Sequence, residues 1–445
     1  MNSKPLADIE LWGLLPPWVH RMQIKTLRVS GLFGSRSYGL DFPVSPEEKS
    51  APSVLILHGR NGVGKTTILR MLDGLLRLDF NVFRRIPCDL CSLEFDNGDR
   101  IEVRPKREKQ LVHIDVQFQK LEAQLHPDRP GALAESGAAS VDAFRQAFFK
   151  CTEDINFELF DTERLRELSP DGEETELGAR QYRLYTTPQV AIRAASVNPK
   201  ARTSGPRQTV AARVERFIRE AQVNYRSFFS TTEPELFPRI IDRLTSGEQP
   251  KYDIADLHGR LSAIHDQDKV TGRFGLERDN WDYAQLVGTL TALSERGETG
   301  RGQALTVLGS YVEQLESRSA QRALVADRLL TFERLLQGLL TDKTVVVDSR
   351  AGIRIETPSG STLDESQLSS GELQLMYLMV SALVTRRRGS IIAIDEPEMS
   401  MHIEWQRKLV PALIECASKA EPLFIFATHS PDLAASLPEA MIELK

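Results

Sequence analysis

The chain has 445 residues, 41% hydrophobic and 27% charged, the balance of a globular protein of two or three domains, which excludes a wholly disordered or fibrous chain. Lys and Arg total 56 against 62 Asp and Glu, a net charge of −6, so any nucleic-acid contact has to come from a local patch. Four irregularly spaced cysteines make no disulfide framework, no apolar run approaches the roughly 18 residues of a membrane helix, and Asp8, Glu10, Pro16 and Pro17 break up any secretory signal; a cytoplasmic protein without a membrane partner is expected.

In chain order, short strand-like runs come first: MQIKTLRV, YGLDF, CSLEF, RIEV and VHIDVQF lie between Met22 and Phe118. Among them, Ser53 to His58 (SVLILH) reads as a buried strand. The next eight residues are Gly59, Arg60, Asn61, Gly62, Val63, Gly64, Lys65 and Thr66, followed by Thr67, which is GxxxxGK[ST] in full. Ile68, Leu69, Met71, Leu72 and Leu75 then fall at helical spacing. Strand, glycine loop and helix in this order make a phosphate cradle: glycines free backbone N–H groups to converge on one anion, and the helix start adds partial positive charge. Lys65 is placed for the β- and γ-phosphates and Thr66 for Mg²⁺. The cradle alone does not choose among the NTPase classes that share it. Cys88 and Cys91 form a lone CxxC without the second pair a zinc site needs.

The middle of the chain is less explicit. Acidic Thr152 to Glu176 precedes Ala179 to Ser227, which carries ten basic residues against Glu215 and Glu220, a net 10 − 2 = +8. This stretch, with Arg193, Lys200, Arg202, Arg207, Arg213, Arg216 and Arg219, could grip phosphates or pair with acidic neighbours. Serine, proline and glycine suggest a loop over Asn198 to Pro206. Leu305, Leu308, Val312, Leu315, Val325, Leu329, Phe332, Leu336 and Leu339 predict a long helix from Arg301 to Leu340 with a polar break at Glu316 to Arg322. Unbroken, it spans about 60 Å. It reads equally as an arm for oligomerisation or partners and as a packed helical subdomain.

Toward the C-terminus, the strands TVVVD and GIRIE precede Leu368-Ser369-Ser370-Gly371-Glu372, which opens a helix over Leu373 to Val384. The run IIAI at Ile391 to Ile394 predicts a central parallel strand ending in Asp395 and Glu396. Ligands bind at that end of such strands. Asp395 is placed to hold Mg²⁺ and Glu396 to orient or deprotonate an attacking water. A further strand, LFIFAT, ends at His429.

The cradle, LSSGE, Asp-Glu and strand-end histidine in this order resemble the head of ABC-type ATPases. LSSGE, DEPE and MHIEWQ look most like the SMC, RecF and OLD branch. The resemblance implies an α/β P-loop NTPase of ABC-ATPase head type with two lobes, a mixed sheet and a helical insertion. Residues 1–120 would form the N-terminal lobe, 121–342 the insertion, and 343–445 the C-terminal lobe.

It also implies ATP and Mg²⁺ as cofactors, with hydrolysis inside a homodimer of heads or a higher homo-oligomer. Ser369, Ser370, Gly371 and Glu372 of one subunit would close on the nucleotide of the other, with His429 at the γ-phosphate of its own subunit. Ser370 stands where many members carry glycine, and His402 where an Asp is usual in the dimer-crossing loop. Gln117, Gln119 and Gln124 all fit the region of the Mg²⁺-linked glutamine. Sixteen residues after His429 leave no room for the TOPRIM nuclease of OLD proteins. The sequence is therefore similar to standalone ATPase subunits of anti-phage systems of the PARIS or Septu type, with a separate nuclease or toxin as effector. A RecF-like, ATP-switched DNA clamp is the alternative.

Overall fold

The computed structural model describes residues 22–43, 53–108, 111–119, 121–125, 133–134, 141–153, 155–160, 209–232, 236–245, 252–276, 281–295, 301–385, 389–418 and 420–445. They fall into two compact units, one within 208–365 and one within 17–207 and 366–445. The basic residues Arg193, Lys200, Arg202 and Arg207, the expected loop over Asn198 to Pro206 and most of the acidic run before them lie outside the described residues.

In chain order, the second unit begins with β1 (Ile24–Leu32), β2 (Arg36–Asp41) and β3 (Ser53–His58), then α1 (Lys65–Arg77) and α2 (Asn81–Arg85). It continues through β4 (Leu90–Phe95), β5 (Arg100–Glu108), β6 (Leu111–Phe118), β7 (Leu121–Leu125), β8 (Leu133–Ala134), α3 (Val141–Cys151) and β9 (Phe157–Phe160). The first unit holds α4 (Val210–Thr232), α5 (Leu236–Thr245), α6 (Ile254–Gly272), α7 (Tyr283–Ser294), α8 (Arg301–Leu339), β10 (Thr344–Asp348), β11 (Gly352–Glu356) and β12 (Thr362–Leu363). The chain then returns to the second unit with α9 (Ser370–Val384), β13 (Ile391–Asp395), α10 (Ile403–Cys416), β14 (Leu423–Thr428), α11 (Pro431–Ala434) and β15 (Met441–Glu443).

The second unit is built on two sheets. An antiparallel sheet runs β2-β1-β4-β5-β6-β7-β8, and a parallel one runs β15-β3-β14-β13-β9. Their apolar faces share one core with α1 and α3, from Leu27 and Leu93 through Leu69, Met71 and Phe148 to Ala393 and Ile425. This is the mixed α/β architecture of a P-loop fold. β13 and β14 are buried at nearly every position, as a central parallel strand covered on both faces must be.

The described residues within 121–160, expected in the insertion, instead supply β7, β8 and β9 to these sheets and pack α3 into their core. Gln124 pairs with Asp115 across a continuing hairpin, and FELF pairs in parallel with β13 from Ile391 to Ile394. The reason is edge satisfaction: each strand covers backbone groups that its neighbour would otherwise leave exposed.

In the first unit, α8 is one helix of 39 residues. Leu305, Val312 and Leu315 pack with Leu257, Leu261 and Ile264 of α6 and Leu290 of α7. The polar stretch of α8 is a seam within the continuous helix. Arg322, fully buried, donates to Asp268 at 2.5 Å and to the Tyr225 hydroxyl at 2.6 Å, and Ser319 donates to Gln267 at 3.0 Å. Glu316 takes two bonds from Arg260, at 2.7 and 2.6 Å. The strands TVVVD and GIRIE form an antiparallel pair in this unit.

Candidate functional site

Parallel register brings three strand ends together. His58 pairs with Thr428 and Asp395 with Ala427, so β3, β14 and β13 finish side by side at one edge. Their next residues are Gly59, His429 and Glu396. Chain segments more than 330 residues apart thus meet at the carboxyl edge, where open parallel sheets bind ligands.

The glycine loop enters α1 through Gly62 at φ 83° and Gly64 at φ 105°, left-handed conformations that glycine adopts without steric cost. Arg60, Asn61 and Gly62 are exposed, Val63, Gly64 and Lys65 are buried, and Thr66 and Thr67 are half-buried. Lys65, 5% exposed, donates from Nζ to the Gly59 carbonyl at 2.8 Å and the Arg60 carbonyl at 3.2 Å. Two side chains of β2 brace the loop from outside: Arg36 donates to the Gly62 carbonyl at 2.5 Å and the Tyr38 hydroxyl to the Val63 carbonyl at 2.8 Å.

Asp395 is 1% exposed, and its Oδ1 accepts from Thr66 Oγ1 at 3.0 Å. A threonine hydroxyl beside a carboxylate is the hard-oxygen donor set that suits Mg²⁺ completed by phosphate and water. The described residues contain no group of three or more His, Cys, Asp or Glu arranged to hold a metal ion. Glu396 adopts φ 47°, its N–H bonded to the Ala427 carbonyl at 2.7 Å. A left-handed glutamate is a local strain of the kind that collects at functional sites.

His429, with its side chain 47% exposed, sets Nδ1 at 3.7 Å from Glu396 Oε1 and 3.2 Å from Glu398 Oε1. Sequence reasoning passed over Glu398, which is buried and accepts from Thr428 Oγ1 at 2.5 Å, His429 N at 3.0 Å and Ser430 N at 3.1 Å. Its signal was the last acid of DEPE; its partners lie about thirty residues on. Arg36 and Tyr38 carried no motif at all.

The LSSGE segment opens α9 through a capping box. Ser369 Oγ accepts from Glu372 N at 3.3 Å, and Glu372 Oε2 accepts from Ser369 N at 2.9 Å, which satisfies two of the helix's orphan donors. Ser370 is exposed and Gly371 buried. A Cβ on Gly371 would stand 2.3 Å from the Ser400 carbonyl oxygen, and Gln374 Nε2 donates to the Pro397 carbonyl at 3.1 Å. His402 caps α10, its Nδ1 accepting from Glu404 N at 3.4 Å. Of the three candidate glutamines, Gln119 stands at φ 55° and donates to Asp99 at 3.0 Å, away from the cradle's bonds.

Cys88 and Cys91 are buried, and burial pushes the Cys91 thiol well above its ordinary pKa. Cys151 is pushed up to about 12, chiefly by burial and then by the neighbouring Asp99 carboxylate. No helix among the described residues is long and apolar enough to cross a membrane.

Residues 214–435 match a family described as "AAA domain, putative AbiEii toxin, Type IV TA system". The match contains LSSGE, Asp395, Glu396 and His429 and begins beyond the glycine loop. No curated protein matches the chain. Among solved structures, the chain is similar to the Smc head domain with an extended coiled coil bound to the C-terminal domain of ScpA from Pyrococcus furiosus, at 12% identity and a TM-score of 0.37, covering 93% of this chain and 92% of that one. It is similar too to the Smc head domain with a coiled coil and joint from Pyrococcus yayanosii, at 12% identity and a TM-score of 0.35, covering 93% of each chain.

Proposed function

We propose that this chain binds ATP with Mg²⁺ and hydrolyses it, as an SMC/OLD-like ATPase subunit whose heads close on the nucleotide and control a separate nuclease or toxin in anti-phage defence. The observation that carries the catalytic part is the Thr66–Asp395 pair at 3.0 Å. It sets the cradle's hydroxyl against the carboxylate of a strand 329 residues away, with Lys65, Glu396 and His429 at the same sheet edge. Bound Mg²⁺ would neutralise phosphate charge there. Thr66 and Asp395 would hold it, Lys65 would bind the β- and γ-phosphates, and Glu396 would orient the attacking water.

The exposure of Ser370 at the start of α9 supports closure by a second copy: its hydroxyl and the helix start are available to an anion outside the chain. The toxin–antitoxin wording of the matched family supports linking the ATPase to an effector. The clamp alternative loses ground on α4, where Arg219 pairs with Glu215, Arg216 lies 3.9 Å from Glu220, and Arg213 is buried. Helical basic charge spent on neighbours is poorly placed for a DNA backbone.

Phosphate release by the wild-type chain, with light scattering in the presence and absence of ATP, tests this reading. We expect Mg²⁺-dependent turnover and a larger ATP-bound species. Absence of nucleotide binding overturns the catalytic part. Strongly salt-dependent DNA binding that stimulates turnover selects the clamp.

A further inference from the structure

The buried carboxylate of Glu398 has no place in the scheme above, yet it organises the turn that carries His429. Its Oε1 gathers the Thr428 hydroxyl and the backbone N–H groups of His429 and Ser430, while its Oε2 is buried without a hydrogen-bond partner among the described residues. The same turn is closed on its far side, where Ser430 Oγ donates to Gln406 Oε1 at 2.8 Å and accepts from Leu433 N at 3.3 Å. A carboxyl side chain held in the interior at such cost calls for a reason beyond filling space, and threonine or asparagine could satisfy two N–H groups without one.

The reason lies in the imidazole. Nδ1 of His429 lies 3.2 Å from Oε1 of Glu398 and 3.7 Å from Oε1 of Glu396, near enough for both carboxyl groups to act on a proton there. A neutral ring has one proton to place, and the partner of one nitrogen decides the state of the other. A bare lone pair on Nδ1 would confront two carboxylate oxygens, whereas a proton there is attracted by both. We propose that Glu398 is a positioning residue that fixes the 428–430 turn and holds neutral His429 as the Nδ1–H tautomer, leaving Nε2 as a hydrogen-bond acceptor. The functional consequence rests on the nucleotide reading above. Neutral His429 accepts a hydrogen bond from the attacking water at Nε2, and it can donate to a phosphate oxygen from Nε2 only as the imidazolium.

Long-range proton–nitrogen correlation NMR of the full chain without nucleotide reads the tautomer directly, with the His429 signals identified by their loss in His429→Gln. We expect Nδ1 protonated and Nε2 bare in the wild type at a pH where the ring is neutral. In Glu398→Ala the Nε2–H form should appear. Glu398→Gln, whose amide oxygen can still accept, should return part of the wild-type pattern. In turnover assays Glu398→Ala should lower kcat at least about tenfold, with the Kd for a non-hydrolysable ATP analogue changed less than about threefold, and Glu398→Gln should recover part of kcat.

Wild-type His429 in the Nε2–H form overturns the proposal without any variant, so a Glu398→Ala protein that fails to fold does not shelter it. An unchanged tautomer in a folded Glu398→Ala protein overturns it equally. A wild-type chain that never hydrolyses ATP defeats the nucleotide reading instead, while the apo spectrum still decides the tautomer.

Discussion

The strand-end site and the polar seam of α8 hold buried charge in different surroundings. At the strand ends, Lys65, Asp395 and Glu398 are nearly inaccessible: Lys65 donates to two backbone carbonyls, Asp395 accepts from a threonine hydroxyl, and Glu398 accepts from a hydroxyl and two backbone N–H groups with His429 Nδ1 3.2 Å away. In the α8 seam, Arg322 is buried against its opposite charge on Asp268; Tyr225 accepts from Arg322, and Ser319 and Trp281 donate to Asp268. Dipoles of the main chain and hydroxyls orient the charged groups at the strand ends. A charge matched to its counter-ion instead holds two helices in register.

Substitutions can break that distinction. The largest effect is expected at Arg322→Ala, which strands Asp268 in the interior and should cost about 3–5 kcal/mol of stability, read as a drop in denaturation midpoint. The double variant Arg322→Met with Asp268→Leu should recover most of the loss. Should the single variant be as stable as wild type, the seam is not what holds α8 to α6.

Glu396→Gln should next reduce turnover by about 10²–10³-fold while leaving the denaturation midpoint and ATP binding near wild type, measured by phosphate release and calorimetry. Lys65→Ala should weaken ATP binding by about ten- to a hundredfold, the worth of one or two charge-assisted hydrogen bonds. Normal affinity in that variant would move the cradle elsewhere. Gly371→Ala should cost about 1–3 kcal/mol, because its methyl group meets the Ser400 carbonyl oxygen at 2.3 Å.

The smallest effect concerns Cys151. Its thiol ionises near 9.0 in an unfolded chain and at about 12 when folded, so the raised value leaves stability untouched below pH 9 and lowers it progressively from there toward pH 12. At pH 8 its alkylation should be slow, and Asp99→Asn should quicken it.

Contiguity decided how much of this was legible beforehand. The glycine loop and the Asp395–Glu396 strand end are each written in fewer than ten consecutive residues whose chemistry is local. Glu398 stands in the same string, but its role depends on Thr428 to Ser430, and spacing along the chain does not report which strand ends adjoin. The α8 stretch Glu316 to Arg322 reads as a break because periodicity counts only apolar residues. A polar face that is buried through its partners on α4 and α6 looks like solvent exposure until those helices are in place. The same blindness put Phe157 to Phe160 outside the parallel sheet: four residues after a helix carry no mark of the neighbour they pair with.

Gly371 lies against the carbonyl of Ser400, and one turn further along α9 Gln374 grips Pro397. The helix start and the short stretch after Glu396 therefore form a single stiff piece, joined once by contact and once by a bond. The exposed serine at the helix tip is thereby tied to the backbone that leaves the strained glutamate. On the proposed catalytic reading, whatever touches Ser370 from outside also bears on the carboxylate beside Asp395.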